Sequence, residues 1–177
     1  TRGGRWHAML CDVARRVAAL VAAWMATGFV HGVMNTDNIS LHGETIDVGP
    51  AAFTEFWDAQ FTLNPDDVHG IYAFGAQRDA GRRCVERLAL ALSPLFEPAE
   101  SAALEESKAA LSDAPATYET AFVRALRDAV KARLGIEASN SASPSADDAL
   151  ADAAVAALEQ VGAAVRAAPH RSAECAG

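Results

Sequence analysis

The sequence predicts a mainly α-helical chain that carries one short β-hairpin. Apolar residues recur at steps of three and four through several long segments, the spacing of one helix face. Apolar residues make up 51% of the chain but aromatics only 7%, because alanine, the strongest helix former, supplies much of that share. A short apolar stretch on either side of His42-Gly43-Glu44 breaks the helical period and reads instead as two strands with a tight turn.

The first element spans about Trp6 to Thr27, where Trp6, Met9, Leu10, Val13, Val17, Leu20, Val21 and Trp24 form one stripe. Asp12, Arg15 and Arg16 fall off that stripe, and Gly28 is a natural stop. The hairpin pairs Ile39-Ser40-Leu41 with Thr45-Ile46-Asp47, and Val48-Gly49-Pro50 ends it. Residues 51–77 lack a period and read as a long ordered loop pinned by Phe53, Phe56, Trp57, Phe61, Tyr72 and Phe74. Helices follow over Arg82–Leu92, Ala99–Leu111, Ala116–Leu134 and Asp147–Val165, with Gly135 ending the third. Ser139–Ser145 has linker composition. The domain expectation is therefore 1–135 as the main unit, 136–146 as a linker, and 147–177 as a terminal helix and tail.

Fifteen basic against twenty-three acidic residues give a formal charge of −8, which argues against nucleic acid as a partner. Cys11, Cys84 and Cys175 are widely spaced, with no zinc pattern or disulfide framework. A reducing compartment is expected: cytoplasmic, or mitochondrial in a eukaryote. Val17 to Met34 is uncharged but rich in Ala and broken by Gly28 and Gly32, so a core helix running into a loop is expected rather than a membrane span.

The chemistry concentrates between His31 and Pro50. Asn35-Thr36-Asp37-Asn38 is a polar knot between an apolar helix and the hairpin, and Asp47 closes the returning strand. A hairpin that begins at Asn38 and ends at Asp47 brings an amide oxygen and a carboxylate to one mouth. Such hard oxygen donors suit Mg²⁺ when phosphate oxygens complete its shell. Gly49 is expected to let the backbone turn sharply beside a ligand. The spacing from His31 to Asn38 is that of the protein-kinase loop His-Arg-Asp-x-x-x-x-Asn, and Asp47-Val48-Gly49 has the Asp-x-Gly form. The kinase base position holds Val33, which accepts no proton; the nearest acid is Asp37.

His31-Gly32-Val33-Met34-Asn35-Thr36-Asp37-Asn38 and Ile46-Asp47-Val48-Gly49-Pro50 closely resemble the selenoprotein O family of protein adenylyltransferases. The resemblance continues through Phe53, Phe61, Asn64, Asp67, Gly70, Tyr72-Ala73-Phe74 and Gln77, and covers about Trp6 to Gln160. It implies a kinase-like C-terminal lobe and transfer of AMP from ATP to Ser, Thr or Tyr hydroxyls of protein substrates. Asp37 matches the family's proton acceptor. Asn38 and Asp47 match its ligands for Mg²⁺ or Mn²⁺ and, through the metal, the nucleotide. Val48 stands where the family usually has Tyr or Phe. Family members carry an upstream lobe with a glycine-rich loop and a phosphate-binding Lys, whereas no lysine precedes Lys108 here. The chain is therefore expected to be the C-terminal lobe alone, needing a partner lobe for transfer.

Other readings stay open on the residues alone. Asp37 and Asn38 are also good turn formers. An ordinary phosphotransferase or a non-catalytic interaction module would fit the same helical chain. His31 is expected to be structural, His42 and His69 to face solvent, and Cys84 to be a packed thiol.

Overall fold

The computed structural model describes residues 2–95, 101–136 and 146–167 and is mainly helical. α1 (Arg2–Thr27) begins a turn earlier than its apolar stripe requires and ends just before Gly28. Leu10, Ala14, Val17, Ala18, Val21 and Ala22 on this helix lose nearly all solvent exposure. Fully burying each valine or leucine is worth about 1.5–3 kcal/mol, and the small alanines between them let neighbouring helices approach closely.

α1 packs against α2 (Gln77–Leu92), which follows a 3₁₀ turn at Phe74–Ala76, and mainly along α3 (Ser101–Arg133). The sequence predicts this helix from Arg82; it begins instead at Gln77, because the 3₁₀ turn leads the chain straight into it. Cys84 is packed on its buried face as expected, and burial pushes the thiol up to about 11.

α3 (Ser101–Arg133) corrects the expectation of two helices over 99–111 and 116–134, because it runs unbroken with Pro115 inside it. Proline in a helix interior costs about 3 kcal/mol. Ala114, Tyr118 and Phe122 lie at helical spacing around it and are all buried. Their burial against α1 and α2 outweighs the lost backbone hydrogen bond. Tyr118 also donates its hydroxyl proton to Arg78 O on α2 at 2.9 Å. α3 ends where predicted: Ile136 N–H donates to Lys131 O at 2.9 Å and Gly135 N–H to Ala132 O at 3.2 Å.

α4 (Ala146–Ala167) rests on α3 through the buried Ala151 and two ion pairs, Lys131–Asp148 at 2.5 Å and Arg127–Asp152 at 2.6 Å. The predicted linker core and the C-terminal tail lie outside the described residues. Among the described residues no helix is long and apolar enough to cross a membrane.

Between α1 and α2 the chain makes β1 (Phe29–Val30), a loop, and β2 (Ala52–Phe53), which pairs antiparallel with β1 in the register Phe29↔Phe53 and Val30↔Ala52. The later loop is pinned by aromatics only in part. Phe74 is fully buried, and Trp57, Phe61 and Tyr72 pack against the core. Phe53 and Phe56 instead face solvent, a correction to their predicted anchoring. Phe53 meets another ring, that of Phe29, at 5.4 Å on the sheet surface and not in the core.

Candidate functional site

The β1–β2 pair closes the base of residues 31–51, so the sequence motif is held at both ends. Gly32 has φ +83°, and a Cβ there would meet Pro50 Cγ at 3.0 Å, so the two ends of the loop touch. Beyond this base, Asn35 Oδ1 accepts from the backbone N–H of Asp37 at 3.1 Å and of Asn38 at 3.2 Å. An amide side chain folding back on the next residues in this way makes the tight turn expected of Asn-x-Asp.

The predicted hairpin is present but contracted to a single bridge, Ile39↔Thr45. Ser40 N–H donates to Glu44 O at 2.9 Å, Gly43 N–H to Ser40 O at 3.1 Å, and Ile46 N–H to Asn38 O at 2.8 Å. The strands stop there because Ser40 Oγ draws the N–H groups of His42 and Glu44 inward at 3.2 and 3.3 Å. The turn leans on α1: Gly43 has φ +75°, and a Cβ there would lie 2.5 Å from Arg16 Cβ. Gly49 does not do what the sequence suggested. It is absent from the positive-φ residues, and a Cβ there would meet only Val33 Cγ2 at 3.8 Å. The tight backbone positions are Gly32 and Gly43.

Asn38 donates its side-chain N–H to Val33 O at 2.8 Å. A carbonyl accepts only from the NH₂ end, so the amide orientation is fixed, and Oδ1 has no protein partner among the described residues. Asp47, across the hairpin, is exposed, and its carboxylate has no hydrogen-bond or ion-pair partner among them, though its charge acts on the His31 ring. Asp37, one residue before Asn38, is likewise exposed with an unengaged carboxylate. The fold thus sets Asp37 and Asn38 on one arm and Asp47 at the end of the other.

Behind these acids lies a buried polar core. His31 is fully buried, and Gln77 Oε1 accepts its backbone N–H at 2.9 Å while Gln77 Nε2 donates to Phe29 O at 3.0 Å. The ring bridges Val33 N–H, which donates to Nδ1 at 3.3 Å, and Thr45 Oγ1, 2.7 Å from Nε2. Burial holds the imidazole below its ordinary range despite the opposing pull of Asp47. A neutral ring that accepts at Nδ1 carries its proton on Nε2. His31 is structural, as expected, and His42 and His69 face solvent.

The donor set has the right chemistry for a hard cation but is sparse. Among the described residues no three His, Cys, Asp or Glu side chains converge in a way that can hold a metal. Asn38 Oδ1 and the Asp47 carboxylate offer two oxygens, which suits Mg²⁺, an ion that keeps waters and takes phosphate oxygens rather than an all-protein cage. The site is an open edge. A cleft of about 290 Å³ lies under the hairpin, between Ile39, Leu41, Val13 and Leu88. Another, of about 750 Å³, runs between α1 and α3. Asp37, Asn38 and Asp47 line neither.

Sequence reasoning missed Asn35, Thr45 and Gln77 as supports. Asn35 carried a readable signal, an amide two residues before an aspartate. Thr45 shares a strand face with Asp47. Gln77 had no local signal, because its partners lie 46 and 48 positions away.

Comparison with known proteins gives the class. The chain belongs to a family of protein nucleotidyltransferases: residues 4–166 match the family described as Protein adenylyltransferase SelO. It is similar to the protein nucleotidyltransferase YdiU of Methylorubrum extorquens, 46% identical over 117 residues, covering 66% of this chain and 24% of the relative. The YdiU of Anoxybacillus flavithermus is 39% identical over 132 residues, 75% of this chain and 27% of the relative. That of Burkholderia thailandensis is 45% identical over 136 residues, 73% and 26%. The chain spans about a quarter of the length of these curated relatives.

Proposed function

We propose that this chain supplies the metal- and nucleotide-binding face of a protein adenylyltransferase that moves AMP from ATP to Ser, Thr or Tyr hydroxyls of other proteins. In this reading residues 1–135 are a kinase-like C-terminal lobe, 136–146 a linker, and 147–177 a terminal helix and tail. The phosphate-gripping groups come from a further lobe, on the same or another chain. One observation carries most of the weight: Val33 O turns the Asn38 amide so that its oxygen is left for a ligand, and the exposed Asp47 stands across the hairpin.

Asn38 and Asp47 would hold Mg²⁺ or Mn²⁺, which supplies charge neutralisation on the phosphates. Asp37, with an unengaged carboxylate, accepts the proton of the acceptor hydroxyl as that oxygen attacks the α-phosphorus. The bond from the α-phosphorus to the bridging oxygen breaks, and pyrophosphate leaves. Val33 at the usual kinase base position removes the alternative acceptor for ordinary phosphotransfer.

Calorimetry with Mg-ATP tests the site. The wild-type chain is expected to bind, and Asp47→Ala to bind at least about tenfold more weakly, a loss of about 1.4 kcal/mol, with the helical circular dichroism unchanged. Equal binding by the two, or none by wild type, overturns the assignment. The chain alone is expected to transfer little AMP. Supplemented with the N-terminal part of a relative, it is expected to pass label from α-labelled but not γ-labelled ATP to protein. Label from the γ position would make it a phosphotransferase instead.

A further inference from the structure

The geometry points to Thr45 as a positioning residue for the two metal-ligating side chains, an inference that rests on the Asn38–Asp47 reading above. Thr45 Oγ1 lies 3.1 Å from Asn38 O and 3.0 Å from Asp47 O. One hydroxyl proton therefore serves the backbone of both candidate ligands, one on each arm of the hairpin. The hydroxyl is itself oriented, since His31 Nε2 stands 2.7 Å away. With Nδ1 committed to Val33 N–H, the ring donates from Nε2 to Thr45 Oγ1. The threonine proton is then driven towards the two carbonyls.

The orientation is fixed further back. Gln77, fully buried at the start of α2, takes the His31 N–H and donates to Phe29 O. Val33, whose N–H caps the ring, also presents the carbonyl that turns the Asn38 amide. The result is a continuous path from the helical core through Gln77, His31 and Thr45 to the ligand-bearing arms. The strand pairing beside it is a single bridge, Ile39↔Thr45. Beside that bridge and the Ile46 N–H that donates to Asn38 O at 2.8 Å, this hydroxyl ties the Asn38 and Asp47 backbones directly to one another. Groups that orient metal ligands from behind typically change metal affinity about 10- to 100-fold when removed.

Three measurements test this. In the metal-free chain, ¹⁵N NMR is expected to show His31 protonated at Nε2 and bare at Nδ1; the reverse tautomer overturns the inference whatever the variants do. Also without metal, Thr45→Val is expected to move the Asn38 side-chain amide resonances, and Thr45→Ser, which keeps the hydroxyl, to leave them in place. With Mn²⁺ and ATP as the probe, Thr45→Val is expected to bind at least about tenfold more weakly, and Thr45→Ser within about twofold of wild type. Thr45→Val binding like wild type while Asp47→Ala loses binding overturns the positioning role and leaves the proposed function standing. Wild type failing to bind Mn²⁺-ATP overturns the proposed function, and the two metal-free measurements then decide whether the Thr45 hydroxyl holds the two arms. Thr45→Ser is a conservative change, so it keeps the hydroxyl testable where Thr45→Val fails to fold.

Discussion

Along α1 the side chains that lose water are Leu10, Val17 and Val21, set between alanines. In the loop between β1 and β2 the fully buried polar side chain is His31, whose backbone N–H is held by Gln77. The helical bundle is held by area, a force that is non-directional and survives small shifts. The loop is held by direction: Gln77, His31, Thr45 and Val33 each meet a specific donor or acceptor within 3.3 Å. A buried polar group left without its partner costs about 1–3 kcal/mol, so the loop has few acceptable geometries. The bundle makes the chain stable, and the loop fixes the backbone that carries Asn38 and Asp47.

Breaking the bundle is expected to have the largest effect on stability. Phe122 is almost fully buried, stacks on Tyr118 with centroids 6.2 Å apart, and lies under the Arg78 guanidinium. Phe122→Ala is expected to cost about 3–5 kcal/mol, read as a lower midpoint in urea. The ¹⁵N signature of His31 should persist in the folded fraction. A loss of that signature at low urea would show that the two regions are not separable.

Breaking the loop is expected to cost less and act locally. Gln77→Leu keeps the bulk but orphans His31 N–H and Phe29 O; as the loop shifts to admit water to them, the cost is expected to be about 1–3 kcal/mol in all. Hydrogen exchange is expected to speed up at His31 and Val33 while the amides of Val17 and Val21 stay protected. Uniform loss of protection across both regions would instead make Gln77 part of the bundle.

The same contrast explains what was legible. α1 was readable because area-driven burial leaves a period in the sequence, and the motif from His31 to Asp47 was readable because its spacing is local. The break expected between residues 111 and 116 is absent because Ala114, Tyr118 and Phe122 around Pro115 are buried, and that long-range burial leaves no mark in the local sequence. The aromatic loop was half legible, since a ring's tendency to bury does not say which ring wins the space; Phe74 did and Phe53 did not. Asp37, Asn38 and Asp47 could be nominated from the chain alone. Their most distant support could not, since Gln77 reaches the loop from 46 positions away.

Acidification is expected to give the smallest effect, and it acts on the loop alone. Burial lowers the folded-state pKa of His31 from its ordinary value near 6.5, against the opposing charge of Asp47. Above that value the ring is neutral whether the chain is folded or not, so it adds no pH dependence. Below it the unfolded chain takes up a proton that the folded chain resists, so the unfolded state binds more protons and stability falls as the pH falls. The structural reason is the committed Nδ1: a second ring proton would face the Val33 N–H that now donates to it. Urea midpoints measured from pH 7.5 down to 5 are expected to decline for wild type and to decline less steeply for His31→Gln, whose side chain does not titrate. His42 and His69 are exposed in both, so the difference between the two slopes isolates the buried ring. Parallel slopes would mean that the loop accommodates the charged imidazole, and that its hydrogen bonds are less directional than the comparison with the bundle requires.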